Sequence, residues 1–328
     1  MMRIAVVGAG AIGGSIVHVL AQAGLDPVLI ARGESAHAVA RDGLRVRRAG
    51  VEEISHPRVF SDTRGLGPFD AVIGTLKGQD WAAATSLIAP LIGPSTCLVP
   101  AINGIPWWYF QRAGGPHDGT RLQTVDPDGA LSAGLAPERI VGGVVYMAAT
   151  RPAPGVIEWP TGKRLVLGEI GPGGGSRVAD LAKTLRAAGM DIDESADIRH
   201  DVWMKLLGNA GFNSISALTG TTVAEILDDA NLRTVCGETI RELKAVAAAI
   251  GISLDVPVEA RLDMGRRLGA FRTSTLQDFE AGRPLETAAL LDAPCEIGRL
   301  TGVATPVLAT LARLLHAAVA RRDRAAGA

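Results

Sequence analysis

Residues 3–14 read RIAVVGAGAIGG, an apolar run that breaks into glycine at Gly8. Arg3 to Val7 is short, β-branched and without a polar face, as expected of a parallel strand covered on both sides. Gly8, Gly10 and Gly13 then fall at GxGxxG spacing, and a helical pattern continues through Ile16, Val17, Leu20 and Ala21. Each glycine has a mechanical reason: the first permits a tight turn, the second lets backbone approach a pyrophosphate, the third lets helix pack on strand. The helix start offers N–H groups and the positive end of its dipole to phosphates. Strand, turn and helix together predict a dinucleotide site on Gly8, Gly10, Ala11, Ile12 and Gly13. The bland alternative is a Gly-rich turn with no ligand.

Further strands come after it. PVLIAR ends at Arg32, where an NAD-selective fold usually carries an acid for the ribose hydroxyls. Arginine there suits a 2′-phosphate and favours NADP as cofactor, although Glu34 is close by. Strands are also predicted at 70–77 (DAVIGTLK) and within 95–104 (STCLVPAING), with a helix around 81–91 between them. Ligands in open α/β sheets bind beyond the carboxyl ends of the strands, so Lys77, Gln79, Asn103 and Gly104 are expected at the cofactor crevice. Residues 107–139 are irregular, and read as a lid, an interface arm or a specificity insertion, with Trp107 to Phe110 equally able to pack beneath the loop. IVGGVVYMAAT, VIEW and RLVLGE read as further sheet, with a hairpin at 160–163.

After Glu194 the pattern is helical, with helices expected near 231–250, 256–272, 284–300 and 306–322 and a frayed tail. The fold class is therefore α/β: a Rossmann-type domain at 1–194, followed by an all-helical domain at 195–328, with the crevice between them as the natural pocket. A length of 328 residues and 47% hydrophobic content suit two cores. The net charge of −1 gives no sign of a nucleic-acid or membrane surface. Cys97, Cys236 and Cys295 fit neither a disulfide framework nor a metal pattern, so no metal is expected. The opening MMRIAVVGAG lacks a signal-peptide plan, and a cytoplasmic protein is expected.

In the segment WMKLLGNAGFNS, Lys205, Asn209 and Asn213 recur every four residues. On a helix they form one polar stripe, while Trp203, Leu206, Leu207 and Phe212 turn largely elsewhere. A polar partner is therefore expected against that stripe. A solvated helix lysine is the alternative for Lys205 taken alone.

The chain resembles the ketopantoate reductase (2-dehydropantoate 2-reductase) family over nearly its whole length, through GAGAIGG, TLK, AING, KLLGNAGFNSISALTG and STLQDFEAGRPLET. The resemblance implies NADPH-dependent reduction of a 2-oxo acid, ketopantoate first among candidates, and a place in pantothenate biosynthesis. It implies Lys205 as general acid and Glu286 as the acidic residue that binds substrate or orients the ammonium. It implies substrate contacts at Asn103, Asn209, Asn213 and Ser274, and cofactor contacts at Arg32 and Lys77. Many members read roughly EIDAING after the late glutamate, whereas this chain has ETAALLD from Glu286 to Asp292. A different branched or aromatic 2-oxo acid is the second enzymatic reading, and an NADP-binding sensor the non-enzymatic one. A homodimer would be unsurprising.

Overall fold

Every residue of the first strand, β1 (Ile4–Val7), is buried in the computed structural model, which describes residues 2–173, 175–267 and 269–327. The chain divides into two units, the first comprising Met1–Ile102, Trp108–Arg121 and Gly129–Ile198. After β1 it runs through α1 (Ala11–Gln22), β2 (Val28–Ile30), α2 (Gly33–Asp42), β3 (Leu44–Arg48), β4 (Val51–Ser55), β5 (Arg58–Phe60) and β6 (Ala71–Gly74). Then come α3 (Trp81–Ile88), β7 (Cys97–Pro100), α4 (Ala130–Gly134), β8 (Val141–Ala153), β9 (Val156–Glu169), α5 (Arg177–Ala187) and β10 (Asp191–Glu194).

The strands β5, β2, β1, β6 and β7 lie side by side in that order, every pair parallel. From β1 the chain passes to β2 on one side and later to β6 on the other. The loop after β1 therefore opens at the point where strand order reverses, the ligand position of such sheets. A second sheet runs β10, β9, β3, β4, with β8 antiparallel to β9. The β3–β4 turn, Ala49 and Gly50, has both φ angles positive (48° and 79°), the twist a two-residue hairpin needs. Helix α1 packs on β1 and also on β3 and β9, which is why Ile16, Val17 and Leu20 are all inaccessible. Burying each such side chain stabilises the fold by about 1.5–3 kcal/mol.

The segment 160–163 corrects the sequence expectation: it is no hairpin, since β9 runs through it unbroken and the turn lies between Ala153 and Val156. Tyr146 pairs with Arg164 and Ala148 with Thr161, so the extra residue is absorbed as a bulge on β9. Pro160 is tolerated because β9 pairs with β3 only over Val156 to Glu158 and with β10 only from Arg164 onwards. Trp107 to Phe110 are buried, so the aromatic run packs inward.

The second unit comprises Asn103–Trp107, Leu122–Asp128 and Arg199–Ala328. Its helices are α6 (Ile198–Thr219), α7 (Val223–Asp228), α8 (Ala230–Ala249), α9 (Val258–Arg266), α10 (Ser274–Glu280), α11 (Ala293–Thr301) and α12 (Pro306–Ala326). Caps in the sequence fix their starts. Thr222 and Glu225 form a capping box on α7. Asp229 accepts from the Asn231 and Leu232 N–H groups at the start of α8. Glu242 accepts from the Val307 and Leu308 N–H groups of α12. Buried Glu296 accepts from the Gln123 and Thr124 N–H groups and so ties Leu122–Asp128 to the helices. The expected helices at 256–272 and 284–300 are shorter, and α12 continues through the segment expected to fray. Among the described residues no helix is long and apolar enough to cross a membrane.

Candidate active site

The site residues expected from the sequence fall into two groups, one in each unit. In the first unit, Gly8 succeeds β1 with φ 111°. A Cβ at Gly13 would lie 2.0 Å from the Gly8 carbonyl oxygen and 2.4 Å from Thr75 Oγ1, so only glycine lets α1 start this close to the turn. Gly10 is different: a Cβ there would meet nothing within 4 Å, so its backbone faces open space. It is the N-cap of α1, gives no side-chain cap, and precedes a first turn without acids, at Ala11 and Ile12. The first N–H groups of α1 are thus left to an anion, which fits a dinucleotide pyrophosphate.

Arg32 is the exposed N-cap residue of α2, and among the described residues it meets no carboxylate. Lys77 is half-buried after β6, and Gln79 is exposed in the 3-10 turn Gly78–Asp80. Among the described residues no cluster of His, Cys, Asp or Glu could hold a metal ion.

In the second unit, Lys205 of α6 donates from Nζ to Asn103 Oδ1 at 2.6 Å, and Asn103 Nδ2 donates to Glu286 Oε2 at 3.0 Å. An ammonium only donates and an ionised carboxylate only accepts, so an amide joins them in one orientation. Lys205 is half-buried on α6. That burial lowers its pKa from 10.5 to about 8, and the charge of Glu286 opposes the fall.

The turn that carries Asn103 is held by backbone. Gly104 has φ 78°, and a Cβ there would come within 2.4 Å of the Ala289 carbonyl oxygen. The same oxygen accepts from the Ile105 N–H at 2.9 Å. It is supplied by a π-helical turn, Ala288–Asp292, just after Glu286. Such turns interrupt the regular ladder and recur at functional sites. Here one hydrogen bond links the loop of Asn103 to the segment of Glu286.

Asn209 is half-buried and Asn213 buried on the Lys205 stripe, and among the described residues neither amide has a hydrogen-bond partner. Two amides on one helical stripe, each able to donate and accept, suit a polar ligand. Asn209 also lines a small recess with Thr275, Thr287, Leu290, Leu291 and Leu315. Ser274 does not line it: as the first residue of α10 it is exposed, and Thr273 supplies the cap by accepting from the Leu276 N–H. Thr275 and Thr287 were missed in the sequence. The signal was the T-S-T run, which becomes readable once Thr273 is taken as the cap and Thr275 falls on the inner side.

Comparison with known proteins fits this arrangement. Residues 4–110 match the family model described as ketopantoate reductase PanE/ApbA, and residues 197–319 match the model of its C-terminal domain. The chain is also 41% identical to a 2-dehydropantoate 2-reductase of Mesorhizobium japonicum, over 98% of this chain and 99% of that one. The chain belongs to the ketopantoate reductase family. Membership makes it a dinucleotide-dependent oxidoreductase acting on a CH–OH group. A crystal structure of a candidate ketopantoate reductase from Ralstonia solanacearum MolK2 superimposes with a TM-score of 0.94 at 40% identity, covering 98% of this chain and 99% of that one. A D-mandelate dehydrogenase solved with NADH and anilino(oxo)acetate shares the fold at a TM-score of 0.85 and 22% identity, covering 98% and 99%.

Proposed function

We propose that the protein reduces a 2-oxo acid with NADPH, and that ketopantoate is the substrate and pantoate the product. The observation that carries this reading is the hydrogen-bonded series Lys205, Asn103, Glu286 beside two amides that have no partner among the described residues. A bound NADPH would supply the hydride that reaches the keto carbon. Gly8, Gly10, Ala11, Ile12 and Gly13 would hold its pyrophosphate, with Lys77 and Gln79 beside it and Arg32 at the 2′-phosphate. Arg32 is the support for NADPH over NADH, since an arginine makes a charge-assisted pair with a phosphate and only a weaker, neutral contact with a free ribose hydroxyl.

Lys205 keeps its proton at neutral pH, with a pKa of about 8, and directs it at the substrate carbonyl oxygen. As negative charge grows on that oxygen, the ammonium stabilises it and gives up the proton, and the O–H bond of the alcohol forms. A proton donor whose pKa lies close to the working pH transfers more readily than an unperturbed lysine. Asn103 fixes the ammonium's direction, Glu286 holds Asn103, and Asn209 and Asn213 donate to the substrate carboxylate or hydroxyl. Ser274 is retained as a substrate contact on the resemblance alone.

A second reading, a different branched or aromatic 2-oxo acid, is favoured by ETAALLD after Glu286, where Leu290 and Leu291 line the recess beside Asn209. Steady-state oxidation of NADPH with ketopantoate and a panel of 2-oxo acids tests both. The proposal expects ketopantoate to have the highest kcat/KM. Negligible turnover of it beside efficient use of another acid would replace the first reading with the second.

A further inference from the structure

Arg151 lies on β8 at a defect in the sheet. Thr150 pairs with Glu158 and Ala153 with Val156, so three steps on β8 face two on β9. The extra residue falls at Arg151 and Pro152, and bulges of this kind re-aim a side chain. Here the guanidinium is turned onto α2, where Arg151 Nη1 donates to Ser35 Oγ at 3.0 Å. The hairpin tip is anchored in the same direction. The Gly155 carbonyl accepts from the Arg45 N–H at 2.9 Å, and a Cβ at Gly155 would come within 3.2 Å of Ala38 on α2.

Ser35 is three residues beyond Arg32, so the Arg151 guanidinium reaches from the second sheet to the first turn of the helix whose N-cap residue is Arg32. Among the described residues Arg151 donates to Ser35 and, like Arg32, has no carboxylate partner. A Cβ at Gly33, between Arg32 and Ser35, would meet nothing within 4 Å, which leaves the turn open. The one acid of that turn, Glu34, is exposed. Ser35 accepts from Arg151 through a lone pair, so its own O–H stays available to donate.

We infer that Arg151, oriented by Ser35, is a second specificity-determining cation for the 2′-phosphate of the cofactor, acting with Arg32. The inference rests on the NADPH reading above. A phosphomonoester carrying close to two negative charges is matched better by two guanidiniums and a hydroxyl than by Arg32 alone. A free ribose hydroxyl gains much less from a guanidinium than a phosphate carrying close to two charges does, so the residue favours NADPH over NADH without touching the reacting atoms.

The test is direct calorimetric titration of NADPH and NADH into wild type, Arg151→Ala, Arg151→Lys and Arg32→Ala. Arg151→Ala is expected to weaken NADPH by on the order of tenfold and leave NADH unchanged, while Arg151→Lys recovers part of the loss. Steady-state data should place the loss in KM for NADPH, with kcat kept. Should Arg32→Ala discriminate against NADPH while Arg151→Ala affects both cofactors equally or neither, the role of Arg151 is overturned and the NADPH reading stands. If wild type binds both cofactors equally and Arg32→Ala changes neither, the NADPH reading falls, and this inference with it.

Discussion

Replacing Glu286 with glutamine removes one negative charge while leaving an amide oxygen that can still accept from Asn103. The hydrogen-bond distances set the size of the effect on Lys205. Lys205 Nζ to Asn103 Oδ1 is 2.6 Å, and Asn103 Nδ2 to Glu286 Oε2 is 3.0 Å. The amide's own O-to-N span adds about 2.3 Å, so ammonium and carboxylate are at most about 8 Å apart. With an effective dielectric of about 20–40, their attraction is about 1–2 kcal/mol, or roughly one pKa unit. Glu286 favours the charged lysine, so its loss drops the Lys205 pKa below the present value of about 8. The proton donor is active when protonated, so the rate falls as pH rises through that pKa. The assay is kcat/KM for the 2-oxo acid from pH 6 to 10 at saturating NADPH. Wild type should lose activity with an apparent pKa near 8, and Glu286→Gln should lose it about one unit lower. A basic limb that stays in place, or moves upward, would refute the electrostatic role assigned to Glu286.

Other perturbations of the same unit have definite signs. Asn103→Asp puts a carboxylate against Lys205 Nζ, so the basic limb should move upward, while repulsion from Glu286 lowers turnover; a pH–rate profile reads both. Gly104→Ala forces a Cβ into the Ala289 carbonyl at a φ of 78°, and denaturant titration should find roughly 2–4 kcal/mol less stability. Lys205→Met removes a burial penalty. The folded pKa of about 8 lies below the unfolded 10.5, so the charged lysine opposes folding at every pH below about 8, and the penalty fades between there and 10.5. At pH 7 the variant should therefore be as stable as wild type or up to about 2 kcal/mol more so, with the gain shrinking toward pH 10.

The features that local physics specifies could be read directly from the chain. The buried strand before Gly8 and the glycine spacing after it belong to one short segment, and the parallel sheet built on them is a consequence of that pattern. The Lys205 stripe was readable because helical periodicity fixes which residues share a side. What joins that stripe to Asn103 and Glu286 was not, because those contacts span 102 and 183 residues and depend on a π-helical turn whose sequence, Ala288–Asp292, carries no local mark. Pro160 and Gly162 misled for the opposite reason: they are turn residues locally, and only the gap in pairing along β9 makes room for them in a strand. Ser274 and Thr275 differ by one position, and the choice between them depends on which threonine caps α10.

Transfer of a proton from Lys205 to the substrate is the step on which the proposed chemistry depends, and a single pair of proteins is enough to probe it. NADPH oxidation with ketopantoate is measured for wild type and Lys205→Ala at pH 7, with NADPH affinity determined alongside. Turnover is expected to fall by on the order of a hundredfold or more with cofactor affinity unchanged. Turnover close to wild type in the alanine variant would contradict the role of Lys205.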